Sequence, residues 1–209
     1  MGKVSSSNSQ GVHVPKLRFP EFNETWELSR LSDISYYQTG KDIVPKSKYV
    51  STENMLQNFA GMEPYKDEAI VSGIPFASGD VLIANIRPYL KKIWKANFAG
   101  CCNTDVLVLH SANINPDYLY YNIAREDFIT HVMSGVKGSK MPRGDKTQIL
   151  EYKVGVPTHK EQQKIASILS LLDNRIVKQR QLIEALKSYK RGALSKLFPK
   201  KGETMPEYR

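Results

Sequence analysis

At 209 residues, 41% hydrophobic and 24% charged, with eleven Tyr, the chain has the apolar content of a folded protein, which excludes disorder outside its ends. Its net charge is +9, from 30 basic and 21 acidic residues, with a pI near 9.4; a polyanion is therefore the first partner to consider, nucleic acid ahead of membrane. No apolar run approaches the roughly 20 residues that span a bilayer, no N-terminal apolar segment reads as a signal peptide, and Cys101-Cys102 suits neither a disulfide framework nor a metal site, so a reducing, intracellular setting is expected.

In chain order, residues 1–14 form a polar lead, expected to be flexible. Pro15-Lys16-Leu17-Arg18-Phe19-Pro20-Glu21-Phe22 and Trp26 follow. The prolines fix extended geometry, and the aromatics are anchors that tack an entry segment onto a core. Strands are expected at Tyr49–Thr52, at Val81–Ala84, reached through the apolar pieces Ile70-Val71 and Ile74-Pro75-Phe76 and a Gly79-Asp80 turn, at Ile93–Ala96, at Val106–Leu109 and at Tyr152–Pro157. Leu119, Ile123, Phe128 and Val132 give a helical spacing from Pro116 to about Met133. Strands outnumber helices without regular alternation, so the fold class expected is α+β, a mixed globular domain over 15–157.

Residues 158–198 read differently. From Ile165 the positions Leu169, Leu172, Ile176, Gln179, Ile183, Leu186, Lys190, Ala193 and Leu197 follow in steps of four and three, a heptad seam. Thr158 with Glu161 gives a capping-box start, and Pro199 a stop before a 199–209 tail. One helix of about 40 residues, roughly 60 Å long, carries a one-sided seam that needs a partner helix. No internal repeat supplies one, so a coiled coil with another chain is expected. Antiparallel pairing centred near Gln181 would set Ile165 against Leu197, Leu169 against Ala193, Leu172 against Lys190, Ile176 against Leu186 and Gln179 against Ile183. A second row, Ile168, Leu182 and Tyr189, widens the stripe beyond a two-helix seam and predicts contact with a further protein.

Motifs for catalysis are missing. There is no GxGxxG after a strand, no P-loop, and no Asn/Asp-Pro-Pro-aromatic methyltransferase signature. Pro116-Asp117 with Glu151-Tyr152-Lys153 is a poor nuclease pair, and His13, His110, His131 and His159 lack metal spacing. A non-enzymatic chain is expected, with no metal. Three basic stretches suit nucleic acid instead. Gly135–Lys146 carries Lys137, Ser139, Lys140, Arg143 and Lys146 among glycines that let a backbone approach phosphates. Arg87-Pro88-Tyr89-Leu90-Lys91-Lys92 offers an arginine for guanine, a tyrosine that could stack, and two lysines; a structural ion pair is the competing reading. Gln38-Thr39-Gly40-Lys41 offers an amide for adenine and a cation.

The entry segment, Gly79-Asp80-Val81-Leu82, Pro157 with Glu161-Gln162-Gln163-Lys164-Ile165, Leu172-Asp173, Ile176, Lys190-Arg191-Gly192-Ala193-Leu194 and Leu197-Phe198 together resemble the specificity (S) subunit of type I restriction-modification systems, over about 15–198. The resemblance implies a target recognition domain that reads double-stranded DNA and a spacer helix that docks methyltransferase (M) subunits, through Ile168, Leu182 and Tyr189 here, and through them restriction (R) subunits. It implies a cytoplasmic protein of a bacterium or archaeon, with S-adenosylmethionine and ATP bound only by partner subunits. Typical members carry two such domains and two such helices, whereas this sequence has one of each. A homodimer reading a palindromic bipartite site is therefore expected. The alternative is an interaction or inhibitory module that binds M subunits without reading DNA.

Overall fold

The computed structural model describes residues 15, 17–136, 138 and 141–198. The expected lead, the Pro199 stop and the tail lie outside them. Ten strands and five α-helices are described: β1 (Glu27–Arg30), α1 (Leu31–Ile34), β2 (Ser35–Tyr37), β3 (Asp42–Pro45), β4 (Tyr49–Val50), β5 (Ile70–Phe76), β6 (Val81–Ala84), β7 (Ile93–Lys95), β8 (Gly100–Cys102), β9 (Val106–Ser111), α2 (Pro116–Ile123), α3 (Glu126–Ser134), α4 (Lys146–Leu150), β10 (Lys153–Val156) and α5 (His159–Leu197). The α+β class is as expected. None of the described helices is long and apolar enough to cross a membrane.

The chain divides into two compact units, one through Ala166 and one from Ser167. In the first, the sheet β2-β9-β6-β7 is covered on both faces. Alternation along β6 and β9 sorts the two sides: Val81, Ile83, Leu107 and Leu109 join the cluster containing Leu119, Phe128 and Ile149 of the helices, while Leu82, Ala84, Val106 and Val108 join Phe76, Met55 and Cys102. The second side is shared with the sheet β3-β5-β8-β4, in which β4 and β8 run parallel. Fully apolar strands are what a sheet buried on both faces requires. Both cysteines are free and buried in β8.

The helical spacing from Pro116 resolves into two helices, not one. The step of five between Ile123 and Phe128 marks the break, where Arg125 is extended and caps α3. Asn115 caps α2, its side chain accepting from the Tyr118 N–H at 3.0 Å.

The N-terminal segment and the start of α5 are built into one framework. β1 pairs antiparallel with β10, and Trp26 lies against Gly155, where a Cβ would come within 2.9 Å of the indole ring. Glu161 is completely buried. The expected capping role of its side chain is not what the structure shows: both carboxylate oxygens accept from Arg18 at 2.8 Å, and one also accepts from the Trp26 N–H at 3.3 Å. Thr158 still begins the helix, its carbonyl accepting from the Gln162 N–H. Gln162, also buried, donates to the Pro157 carbonyl and accepts from the Asn115 N–H, which joins α5 to the start of α2. Lys164 pairs with Glu21 and lies over the Phe19 ring at 4.7 Å. The globular unit thus extends past residue 157, through the first two turns of α5.

Removing one member of a buried, hydrogen-bonded ion pair strands the other charge. Glu161→Gln should destabilise the globular unit by about 3 kcal/mol, read as a lower urea midpoint. Glu21→Gln, which loosens an exposed pair, should leave the midpoint almost unchanged.

Candidate nucleic-acid interface

The loop between α3 and α4 is the meeting point of the three basic stretches. Where β6 ends, the Asn85 N–H donates to the Asp105 carbonyl, and the Asn85 carbonyl accepts from the Gly144 N–H. Ile86 and Arg143 form an antiparallel bridge, and the Arg87 N–H donates to the Pro142 carbonyl at 2.8 Å. Gly144 is buried at this crossing; a Cβ there would stand 2.9 Å from Asn85 Oδ1 and 3.0 Å from Val132. A Cβ would press on those two side chains, so glycine gives the crossing its room. Asp145 then caps α4, accepting from the Thr147 and Gln148 N–H groups. On the other side of the loop, the Tyr37 hydroxyl donates to the Lys146 carbonyl at 3.0 Å. Burial, with the charge of Asp145 second, pushes the Tyr37 phenol well above its ordinary pKa, so it stays a neutral donor. Gln38, Thr39, Gly40 and Lys146 line one small cleft.

Within this frame the predicted residues have different surroundings. Arg87 is exposed and left-handed, at φ 52° and ψ 60°, immediately before a short 3-10 turn at Pro88–Leu90 that its carbonyl closes. Tyr89 is 48% exposed and so has a face free to stack. Arg143 is exposed and forms an ion pair with Asp105, Nη2 to Oδ1 at 2.9 Å. Lys146 and Lys41 are exposed, and Gln38 is half-buried with its N–H bonded to the Val108 carbonyl. Lys91 and Lys92 each have a partner within the chain. Lys91 pairs with Glu126 at 2.6 Å and ties the turn to α3, and Lys92 donates to the Thr52 carbonyl at 2.6 Å. The structural reading therefore describes these two lysines better than DNA contact. Lys137, Ser139 and Lys140 lie outside the described residues.

Three residues of the junction have no counterpart among the predicted ones: Asp105, Asn85 and Asp145. Asn103-Thr104-Asp105 reads in sequence only as a turn, and nothing local signals its partner. Asn85 Oδ1 is buried with no hydrogen-bond partner among the described residues. No group of three or more His, Cys, Asp or Glu among them could hold a metal. Asp117 is paired with Lys95, and His110 with the buried Asp80 at 2.6 Å.

The helix presents its apolar positions to solvent. Leu172, Ile176, Ile183, Leu186 and Leu197 of the seam are each about half exposed, Gln179 and Lys190 are exposed, and Leu169 and Ala193 are intermediate. Ile165 departs from the expected seam: it packs against the globular core beside Ala166, so it is spent within its own unit. In the second row Ile168, Leu182 and Tyr189 are exposed, the last at 78%. Leu171, Ala185 and Gly192 fall on the same line, which Arg175 and Lys178 interrupt between Leu171 and Leu182. This is a second heptad line beside the first.

An α+β domain with its basic loops at one junction, followed by a helix with uncovered heptad lines, is the arrangement of a recognition module. The protein-family model for the type I restriction modification DNA specificity domain matches residues 23–188, and the chain belongs to that family. It is 30% identical over 203 residues to the type I restriction enzyme MjaVIII specificity subunit of Methanocaldococcus jannaschii, covering 88% of this chain and 44% of that protein. Its fold is similar to the HsdS subunit from Thermoanaerobacter tengcongensis, with a TM-score of 0.56 and 21% identity over 87% of this chain and 51% of the other. It is also similar to the type I restriction-modification S subunit from M. genitalium, with a TM-score of 0.64 and 16% identity over 88% and 48%. The chain thus spans about half the length of the relatives it matches.

A non-glycine residue with positive φ stores backbone strain, most for a β-branched side chain. Arg87→Gly should leave stability within about 1 kcal/mol of the parent, whereas Arg87→Val should cost about 1–3 kcal/mol more than Arg87→Gly. The difference is read from paired urea melts.

Proposed function

We propose that this chain is the sequence-reading, non-catalytic subunit of a type I restriction-modification system, and that it acts as a homodimer. The observation that carries the reading is the convergence of Arg87, Arg143, Lys146 and the Gln38 turn, from three separate stretches, on one loop of a domain in a DNA-specificity family. Phosphates would be met by the exposed lysines and base edges by Arg87 and Arg143, whose planar guanidinium groups suit guanine. Gln38 suits adenine, and Tyr89 suits stacking.

Dimerisation through α5 is supported by its exposed seam, which leaves several large apolar side chains in water unless another helix covers them. With Ile165 spent on the globular unit, the antiparallel ladder runs from Leu169 against Ala193 inwards to Gln179 against Ile183. Two copies would then read a bipartite site with two-fold symmetry, at a spacing set by the helices. The second line, through Ile168, Leu182 and Tyr189, is where an M subunit would dock; S-adenosylmethionine and ATP would be bound by M and R subunits.

Two measurements on the full chain test this. Gel filtration at micromolar concentration should give a dimer that a Gln181→Cys variant crosslinks, and Ile176→Asp with Ile183→Asp should give a monomer, since each buried isoleucine contributes about 1.5–3 kcal/mol. Binding to a pool of randomised duplex DNA should enrich one bipartite sequence and weaken steeply between 50 and 200 mM salt, typically by about 10³-fold or more for six or more phosphate contacts. Lys140→Ala with Arg143→Ala should abolish the preference. Binding that is salt-insensitive and sequence-blind, with capture of an M subunit intact, would favour the non-reading interaction module.

A further inference from the structure

We infer that Asp105 is a positioning residue for base reading, its carboxylate holding the Arg143 guanidinium at the loop junction so that Arg143 addresses a base edge and not whichever phosphate lies nearest. The inference rests on the DNA-recognition reading above.

The argument begins with an apparent mismatch of charge. In a surface built to meet a polyanion, a carboxylate is repulsive, yet Asp105 stands at the junction of the basic loops, 30% exposed, with Arg143 the more exposed partner at 57%. A half-exposed ion pair adds little to stability, so folding energy alone gives it little reason to be there. Orientation gives it one. Asp105 is fixed at its backbone, where its carbonyl accepts from the Asn85 N–H at 2.8 Å and Val106 begins β9 immediately after it. Arg143 is fixed at its own backbone by the bridge to Ile86 and by Gly144 beside it. With both ends anchored, the ion pair restricts a side chain otherwise rich in rotamer freedom, and binding then has less disorder to remove. The carboxylate occupies part of a planar fork that has five N–H donors, leaving others for the two acceptors of guanine. Asp105 also disfavours phosphate at the same place, which penalises register errors along the backbone.

The test uses the full chain, a duplex enriched from a randomised pool, and a scrambled duplex of equal length. Asp105→Ala should cut the ratio of the two affinities by about tenfold or more. Its binding to the scrambled duplex should be equal or tighter, because a negative charge is gone. Arg143→Ala should lose a similar ratio with the salt slope nearly unchanged, as for a base contact and not a phosphate contact, and the double variant should be no less selective than Arg143→Ala. A merely structural role would weaken both duplexes together and would overturn the inference. So would an Asp105→Ala variant as selective as a selective parent. A parent without any selectivity would overturn the inference and the DNA-recognition reading together. Should Asp105→Ala fail to fold, Asp105→Asn, which keeps the side chain's shape, is judged by the same ratio.

Discussion

Everything in the globular unit is referred to one buried carboxylate. Glu161 has no access to water, and it is retained because Arg18 meets it with two hydrogen bonds and Trp26 with a third. A charge removed from solvent is tolerated only with such partners, so the three residues must come together or none can be buried. They come from the entry segment and from the first turn of α5, 143 and 135 residues apart in the chain. Closing this contact aligns β1 with β10, sets Trp26 on Gly155, and leaves Gln162 to join the cap of α2. The entry segment is a brace for the start of the long helix.

From that brace the central sheet sets where the loops can be. β6 and β9 are apolar on both faces, so neither can shift register without exposing core on one side or the other. Their ends, Ala84 and Asp105-Val106, are therefore fixed points, and the basic stretches hang from them. The lysines divide by the same logic. Lys91 and Lys92 pair with a side chain of α3 and a main-chain carbonyl, while Arg87 and Arg143, beyond the strand end, keep their guanidinium groups at the surface.

Much of this was legible from sequence because the signals are local. The apolar strands Val81–Ala84 and Val106–Leu109, the glycine turn at 79 and the heptad ladder each follow from spacing. The short strands β2, β3 and β8 were not, because Ser35–Tyr37 and Gly100–Cys102 are strands through their neighbours and not their composition. Helix spacing from Pro116 concealed a break, since a step of five sits inside tolerance for a continuous pattern. The capping-box pattern at Thr158 and Glu161 matched in type but not in partner: a distant arginine competes better for a carboxylate than a nearby N–H. Ile165 fitted the ladder and the core equally, and only tertiary packing chose between them. At the site, the cations were visible as composition, whereas Asp105 and Asn85 matter through partners that are 38 and 59 residues away in the chain.

The crossing of the two loops is made almost wholly by main-chain atoms: the Ile86–Arg143 bridge, the Arg87 N–H to Pro142, and the Gly144 N–H to Asn85. Main-chain bonds do not depend on which side chain each residue carries. Positions 86 and 143 can therefore be exchanged while the crossing holds, whereas position 87, at positive φ, disfavours β-branched residues, and Gly144 leaves room for the side chains packed over it. Such a junction is a socket with interchangeable teeth. What projects from the loops can change with no need for a new way of folding them.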